Sequence, residues 1–128
     1  MVTVEQVRAV ALSLPQAYEA LVRDRVKFRV GRIVFATLSR DETVLGFGFP
    51  EPERESMVAT RPEVFLLPPA SDMRYSWLCA RMAALEPEET AELLVGAWEL
   101  CVPKTVAAEF SSGRGAAGPR PGSGRIGP

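Results

Sequence analysis

Residues 22–38 read Val-Arg-Asp-Arg-Val-Lys-Phe-Arg-Val-Gly-Arg-Ile-Val-Phe-Ala-Thr-Leu. Val26, Phe28 and Val30 alternate with Arg25, Lys27 and Arg29, and a period of two places successive side chains on opposite faces of a strand. Gly31-Arg32 suits a two-residue hairpin loop of the kind that takes glycine first. That loop would set Val30 opposite Ile33, Phe28 opposite Phe35 and Val26 opposite Thr37, with Arg29 facing Val34 and Lys27 facing Ala36. One face of the hairpin is then aliphatic and aromatic, so Phe28, Val30, Ile33 and Phe35 are expected beneath helices. The other face mixes cations with Val34, Ala36 and Leu38.

Outward from the hairpin, the flanking segments supply a lid and the rest of a sheet. Thr3 and Gln6 fit a capping box, Val2 and Val7 fit a hydrophobic staple, and Val7, Val10, Ala11 and Leu14 recur on one helical face before Pro15. Val44–Phe49 reads as a third strand after the polar turn Arg40-Asp-Glu42, and its Gly46 and Gly48 leave one face bare of side chains. Pro52–Ala59 reads as a short helix, Val64–Leu67 as a short strand stopped by Pro68-Pro69, and Tyr75–Met82 as a fifth strand. Pro87 suits a helix first turn, with Glu88, Glu89 and Glu92 at its positive end. Leu94, Ala97, Trp98 and Cys101 form the apolar stripe of that helix, and Pro103 separates it from a last turn or two through Phe110. The order α-β3-α-β2-α predicts an α+β, two-layer domain over residues 1–110, with a five-stranded antiparallel sheet and helices on one face. Residues 111–128, rich in Gly, Pro, Ser and Arg, are expected to form a disordered tail.

Composition narrows the function classes. The chain has 128 residues, 47% of them hydrophobic, enough for one core and too few for two ordinary domains. The formal charge of -1 conceals an asymmetry, because residues 1–110 carry 12 basic and 16 acidic side chains. A domain that is net acidic can meet phosphates only through a local patch. There is no histidine, which rules out Ser-His and Cys-His nucleophiles, and Cys79 and Cys101 lack zinc-site spacing. Gly46 and Gly48 lie within a strand and do not make a phosphate loop. These features predict no enzyme, no metal and no cofactor. Glu5 near the start, where a signal peptide would be basic, and the lack of a long apolar run predict a cytoplasmic chain with reduced, buried thiols and no membrane contact.

Several segments together resemble the MmcQ/YjbR family of small bacterial proteins. They are the first helix ending Ala-Leu-Ser-Leu-Pro15, the hairpin Phe28–Ala36, Arg61-Pro-Glu-Val-Phe65 with Pro68-Pro69, Trp77 in the fifth strand, and Ala97-Trp-Glu-Leu-Cys-Val-Pro-Lys104. The resemblance spans about residues 3–110. It implies a two-layer fold like that of secretion chaperones and a role in binding DNA. The chain departs from the family pattern at Val22–Arg25, where a histidine is common, and at Ala70–Arg74, where a Gly-rich loop with Trp or His is common.

Two explanations of the cations stand at this level. Arg25, Lys27, Arg29 and Arg32 can be the solvated side of an antiparallel hairpin, their stems covering Val34 and Leu38. Alternatively, the twisted ribbon lies along a nucleic acid and touches phosphates, extended by Arg23 and Arg40. In the second case the expected partner is DNA, bound weakly and in a salt-dependent way by a monomer, and Tyr75 and Trp77 are available to stack on bases. A protein- or small-molecule-binding module using the Gly46/Gly48 face is the alternative from another class. Trp98 reads as core, and Lys104 as a helix-end surface residue.

Overall fold

The structure, a computed structural model, describes residues 1–115, the side chains of 111–115 excepted. Its elements in chain order are α1 (Val4–Ser13), β1 (Ala17–Val22), β2 (Arg25–Val30), β3 (Ile33–Leu38), β4 (Val44–Gly48), α2 (Glu51–Thr60), β5 (Phe65–Leu66), β6 (Trp77–Arg81), α3 (Pro87–Glu99) and α4 (Lys104–Gly115). The strands form one antiparallel sheet in the order β1-β2-β3-β4-β6-β5. The expected α+β class with an antiparallel sheet and a helical layer is therefore present, with six strands in place of five.

The additional strand is β1, and its chemistry explains why alternation did not reveal it. None of its six residues is fully buried, because it is an edge strand with only β2 beside it. Its turn into β2 places Arg23 at φ 52° and Asp24 at φ 68°. Two successive left-handed residues make the primed hairpin turn that fits the twist of the strands. Asn-Gly or Asp-Gly normally marks such a turn, and Arg-Asp carries no such mark.

The second hairpin follows its signature at the tip and departs from it further in. Gly31 takes φ 60°, and Val30 pairs with Ile33 and Arg29 with Val34 as expected. The register then shifts, so that Phe28 faces Ala36 and Lys27 faces Thr37. Phe35 is the extra residue of a bulge, and a one-residue slip moves everything beyond it to the other face. Phe35, Ala36 and Leu38 are all fully buried in the core, while Thr37 comes to lie beside Lys27. The expectation that Ala36 and Leu38 share the cationic face is thus overturned by the bulge. Ile33, expected in the core, is 51% exposed at the hairpin tip, although its partner Val30 is buried.

The core lies between the sheet and the helix pair α1 and α3. Phe28, Phe35, Leu38, Leu45, Phe47 and Leu78 from the sheet meet Val7, Ala11, Leu94, Ala97 and Trp98 from the helices. Thr3 caps α1 in the expected capping box with Gln6. The Trp98 indole N–H donates to the Pro15 carbonyl at 2.9 Å, so one side chain joins the end of α1 to α3. Trp98 also meets Phe110 of α4 edge-on, with ring centroids 5.0 Å apart. Helix α4 continues to Gly115, past the expected domain edge at residue 110. The rest of the expected tail, residues 116–128, lies outside the described residues. Among the described residues no helix is long and apolar enough to cross a membrane.

Candidate nucleic-acid interface

The face of the sheet turned away from α1 and α3 carries the outward residues of every strand. On β2 these are Arg25, Lys27 and Arg29, all half-buried between buried Val26, Phe28 and Val30. Their neighbours by register are Tyr18, Ala20 and Val22 on β1, and Val34 and Thr37 on β3. Further across stand Gly46 and Gly48 of β4, then Cys79 and Trp77 of β6. Thr37 is buried, and its hydroxyl donates to the Val26 carbonyl at 3.0 Å, which holds β2 and β3 together beyond the bulge.

A groove of about 600 Å³ runs over this face. Arg25 and Lys27 of β2 and Arg32 of the hairpin tip form one side. Val34, Thr37 and Gly48 lie along its base, Asp72, Tyr75, Ser76 and Trp77 form the other side, and Leu100 and Cys101 at the end of α3 close it. The basic hairpin and the glycine-bearing sheet face, two separate candidates in the sequence, are therefore two parts of one concavity.

The six predicted cations do not act as one cluster. Arg25, Lys27 and Arg32 line the groove. Arg29 lies on the same face, with its Nε buried and without a hydrogen-bond partner. Arg23 and Arg40 are exposed in the turns β1–β2 and β3–β4, at the opposite end of the strands from Arg32. Ion pairs among the described residues engage the N-terminal ammonium with Glu86, Arg8 with Glu19 and Arg61 with Glu89; none of the six has a carboxylate partner. Arg25 makes only a long bond from Nε to the Leu38 carbonyl, 3.4 Å. Cations without an ion-pair partner remain available to an external anion, with Asp72 in the same groove as an opposing charge.

The glycine gap predicted on β4 is filled by the protein itself. A Cβ on Gly46 would come within 2.8 Å of the Trp77 indole nitrogen and 3.1 Å of the Thr37 methyl, so glycine at 46 is what lets the indole settle on the sheet. One on Gly48 would meet Leu100 and Ala97 at ordinary contact distance. Trp77 is half-buried and Tyr75 is 52% exposed. Neither is a core residue, in contrast to Trp98.

Sequence reasoning missed the residue that fixes this aromatic side. Arg54 of α2 is 6% exposed and has no carboxylate partner. Its guanidinium donates to the carbonyls of Tyr75 at 2.8 Å, Met73 at 3.1 Å and Trp77 at 3.3 Å. A buried cation held only by backbone oxygens, with its Nε left without a partner, ties the 73–77 segment to α2, and the planar fork of arginine suits several acceptors at once. The available signal was its spacing: Arg54 stands three and four residues before Met57 and Val58, on the apolar side of α2.

The two thiols are free. Burial pushes the Cys79 thiol up to about 11, with the Asp72 carboxylate adding to the shift and Arg25 opposing it. Cys101 is only half-buried, a departure from the expected pair of buried thiols, and burial raises its pKa too. Among the described residues no group of three or more His, Cys, Asp or Glu side chains is placed to hold a metal.

The YjbR family model matches residues 12–100, from the end of α1 to the end of α3. The chain belongs to the YjbR family. The match takes in the whole sheet and both sides of the groove, so the geometry above is built from family residues and not from an appendage. No curated protein matches. Among solved structures, the crystal structure of Deinococcus radiodurans protein DR2400, a DUF419 domain, is similar with a TM-score of 0.69 and 20% identity, covering 85% of this chain and 88% of that one. At that identity the likeness is one of fold.

Proposed function

We propose that this YjbR-family protein is a non-enzymatic nucleic-acid-binding protein whose contact surface is the cationic side of the β2–β3 hairpin. The observation that carries the reading is that Arg25, Lys27 and Arg32 converge on one groove without a carboxylate partner. Arg29 stands beside them, and Arg23 and Arg40 extend the positive charge to the far turns. With residues 1–110 net acidic, attraction is local and the affinity modest. Counter-ions released from phosphates make such binding fall with salt in proportion to the contacts made.

The test is a titration of DNA at several salt concentrations. The slope of log affinity against log salt counts the phosphates engaged, and Arg25→Gln, Lys27→Gln and Arg32→Gln together should lower it by about two to three units. Unchanged affinity and slope in the triple variant would return these cations to a solvated sheet face. Absence of binding even at low salt, where attraction is strongest, would point instead to a small-molecule ligand for the same groove.

A further inference from the structure

Shape, aromatic content and charge count, taken together, define the form of nucleic acid that fits this groove. The surface is a concavity, not a ridge: the cations line one side of it and the 72–77 segment forms the other. Duplex readers insert a protruding helix or ribbon into a groove of the DNA about 12 Å wide. A recess bounded by protein on two sides instead admits something thinner than a duplex. Tyr75 and Trp77 add aromatic surface outside the core, and stacking needs a base whose face is free, which a paired and stacked duplex does not offer. Three cations line the groove, fewer than the roughly 6 to 10 phosphate contacts of a strong duplex binder.

Resting on the nucleic-acid reading above, we infer that the groove takes an unpaired DNA strand, with a base against Tyr75 and Trp77 and the neighbouring phosphates against Arg25, Lys27 and Arg32. Gly46 and Arg54 set the stacking side: the first by leaving room for the Trp77 indole, the second by holding the carbonyls of Met73, Tyr75 and Trp77. Among the described residues Asp72 is the one acid lining the groove, and its carboxylate is an acceptor suited to the exocyclic amino group of cytosine.

The experiment compares a fluorescein-labelled 12-nucleotide single strand with the duplex of the same sequence, by anisotropy with the full chain at low salt. The single strand should bind at least tenfold more tightly and should quench tryptophan emission. Tyr75→Ser, at an exposed position, and Trp77→Leu should each weaken the single strand by about tenfold and leave the duplex within about twofold. Circular dichroism identifies any Trp77→Leu loss that is merely unfolding, and Tyr75→Ser stands as the variant that does not touch the sheet. Equal affinity for strand and duplex, or insensitivity of both variants alongside a loss in the cation variant, would overturn the stacking inference and leave the nucleic-acid reading intact. Failure of both probes to bind would overturn the two together.

Discussion

Strand β2 has two faces, and they behave as different materials. Phe28 on one side is fully buried and meets Phe35 with ring centroids 6.5 Å apart. Lys27 and Arg29, one position either side of it, are half-buried on the other face among Tyr18, Val34 and Thr37. The first face is paired with helices, and the second is bordered only by the 72–77 segment and by Leu100 and Cys101 at the end of α3. The contrast predicts that substitutions on the helix-covered face change stability and that substitutions on the other face, one residue away, leave it nearly unchanged.

That separation can be broken or sharpened by substitution. The largest effect is expected on the helix-covered face, where Phe28→Ala should cost about 3 to 5 kcal/mol in a denaturant titration, because a cavity forms in a close-packed core. Arg54→Met tests the junction of the two faces. It leaves three backbone carbonyls without their donor, so a loss of about 2 to 3 kcal/mol is expected, together with weaker binding of the single strand. Gly46→Ala should cost about 1 to 2 kcal/mol, with a changed Trp77 emission spectrum as the indole is displaced; an unchanged spectrum would mean that the indole position does not depend on the glycine. Arg25→Gln, Lys27→Gln and Arg32→Gln together should shift stability by less than about 1 kcal/mol while removing affinity, and a larger shift would show that the open face also supports the fold. The smallest effect concerns pH. Burial raises the Cys79 thiol to about 11, above the ordinary thiol range, so the unfolded chain ionises first; its contribution is complete below about pH 9 and is lost as pH rises towards 11. Cys79→Ala should flatten stability over that window, and at pH 8 native Cys79 should label far more slowly than Cys101.

The parts legible in the sequence are those written in local chemistry. The capping box at Thr3, the turn at Gly31, the alternation of β2 and the stripe of α3 each depend on neighbours within a few residues. The bulge at Phe35 was not legible, because Val34-Phe35-Ala36 looks like ordinary alternation until the partner strand is placed. Strand β1 was hidden by its edge position and by the glycine-free turn at Arg23-Asp24. At the candidate site the cations Arg25, Lys27 and Arg32 were legible as a face. Their union with Tyr75 and Trp77 was not, since it depends on β6 entering the sheet beside β4, outside any local pattern. Arg54 was the least visible, a charged residue whose partners are carbonyls about twenty positions away.

The bond from the Trp98 indole to the Pro15 carbonyl also joins positions 83 residues apart in the chain. Strands β1 to β4 are contiguous in the chain, so the meander has all its strands once Gly48 has emerged from the ribosome. Its principal cover, centred on Trp98, is encoded 50 residues later. At about 5 to 20 residues per second, that interval lasts roughly 3 to 10 s. During it, α1 alone shields the apolar side of the meander, and Phe28, Phe35 and Phe47 face water or whatever binds nascent chains. Chain order thus places four strands of the sheet ahead of β5, β6 and the helix that covers them.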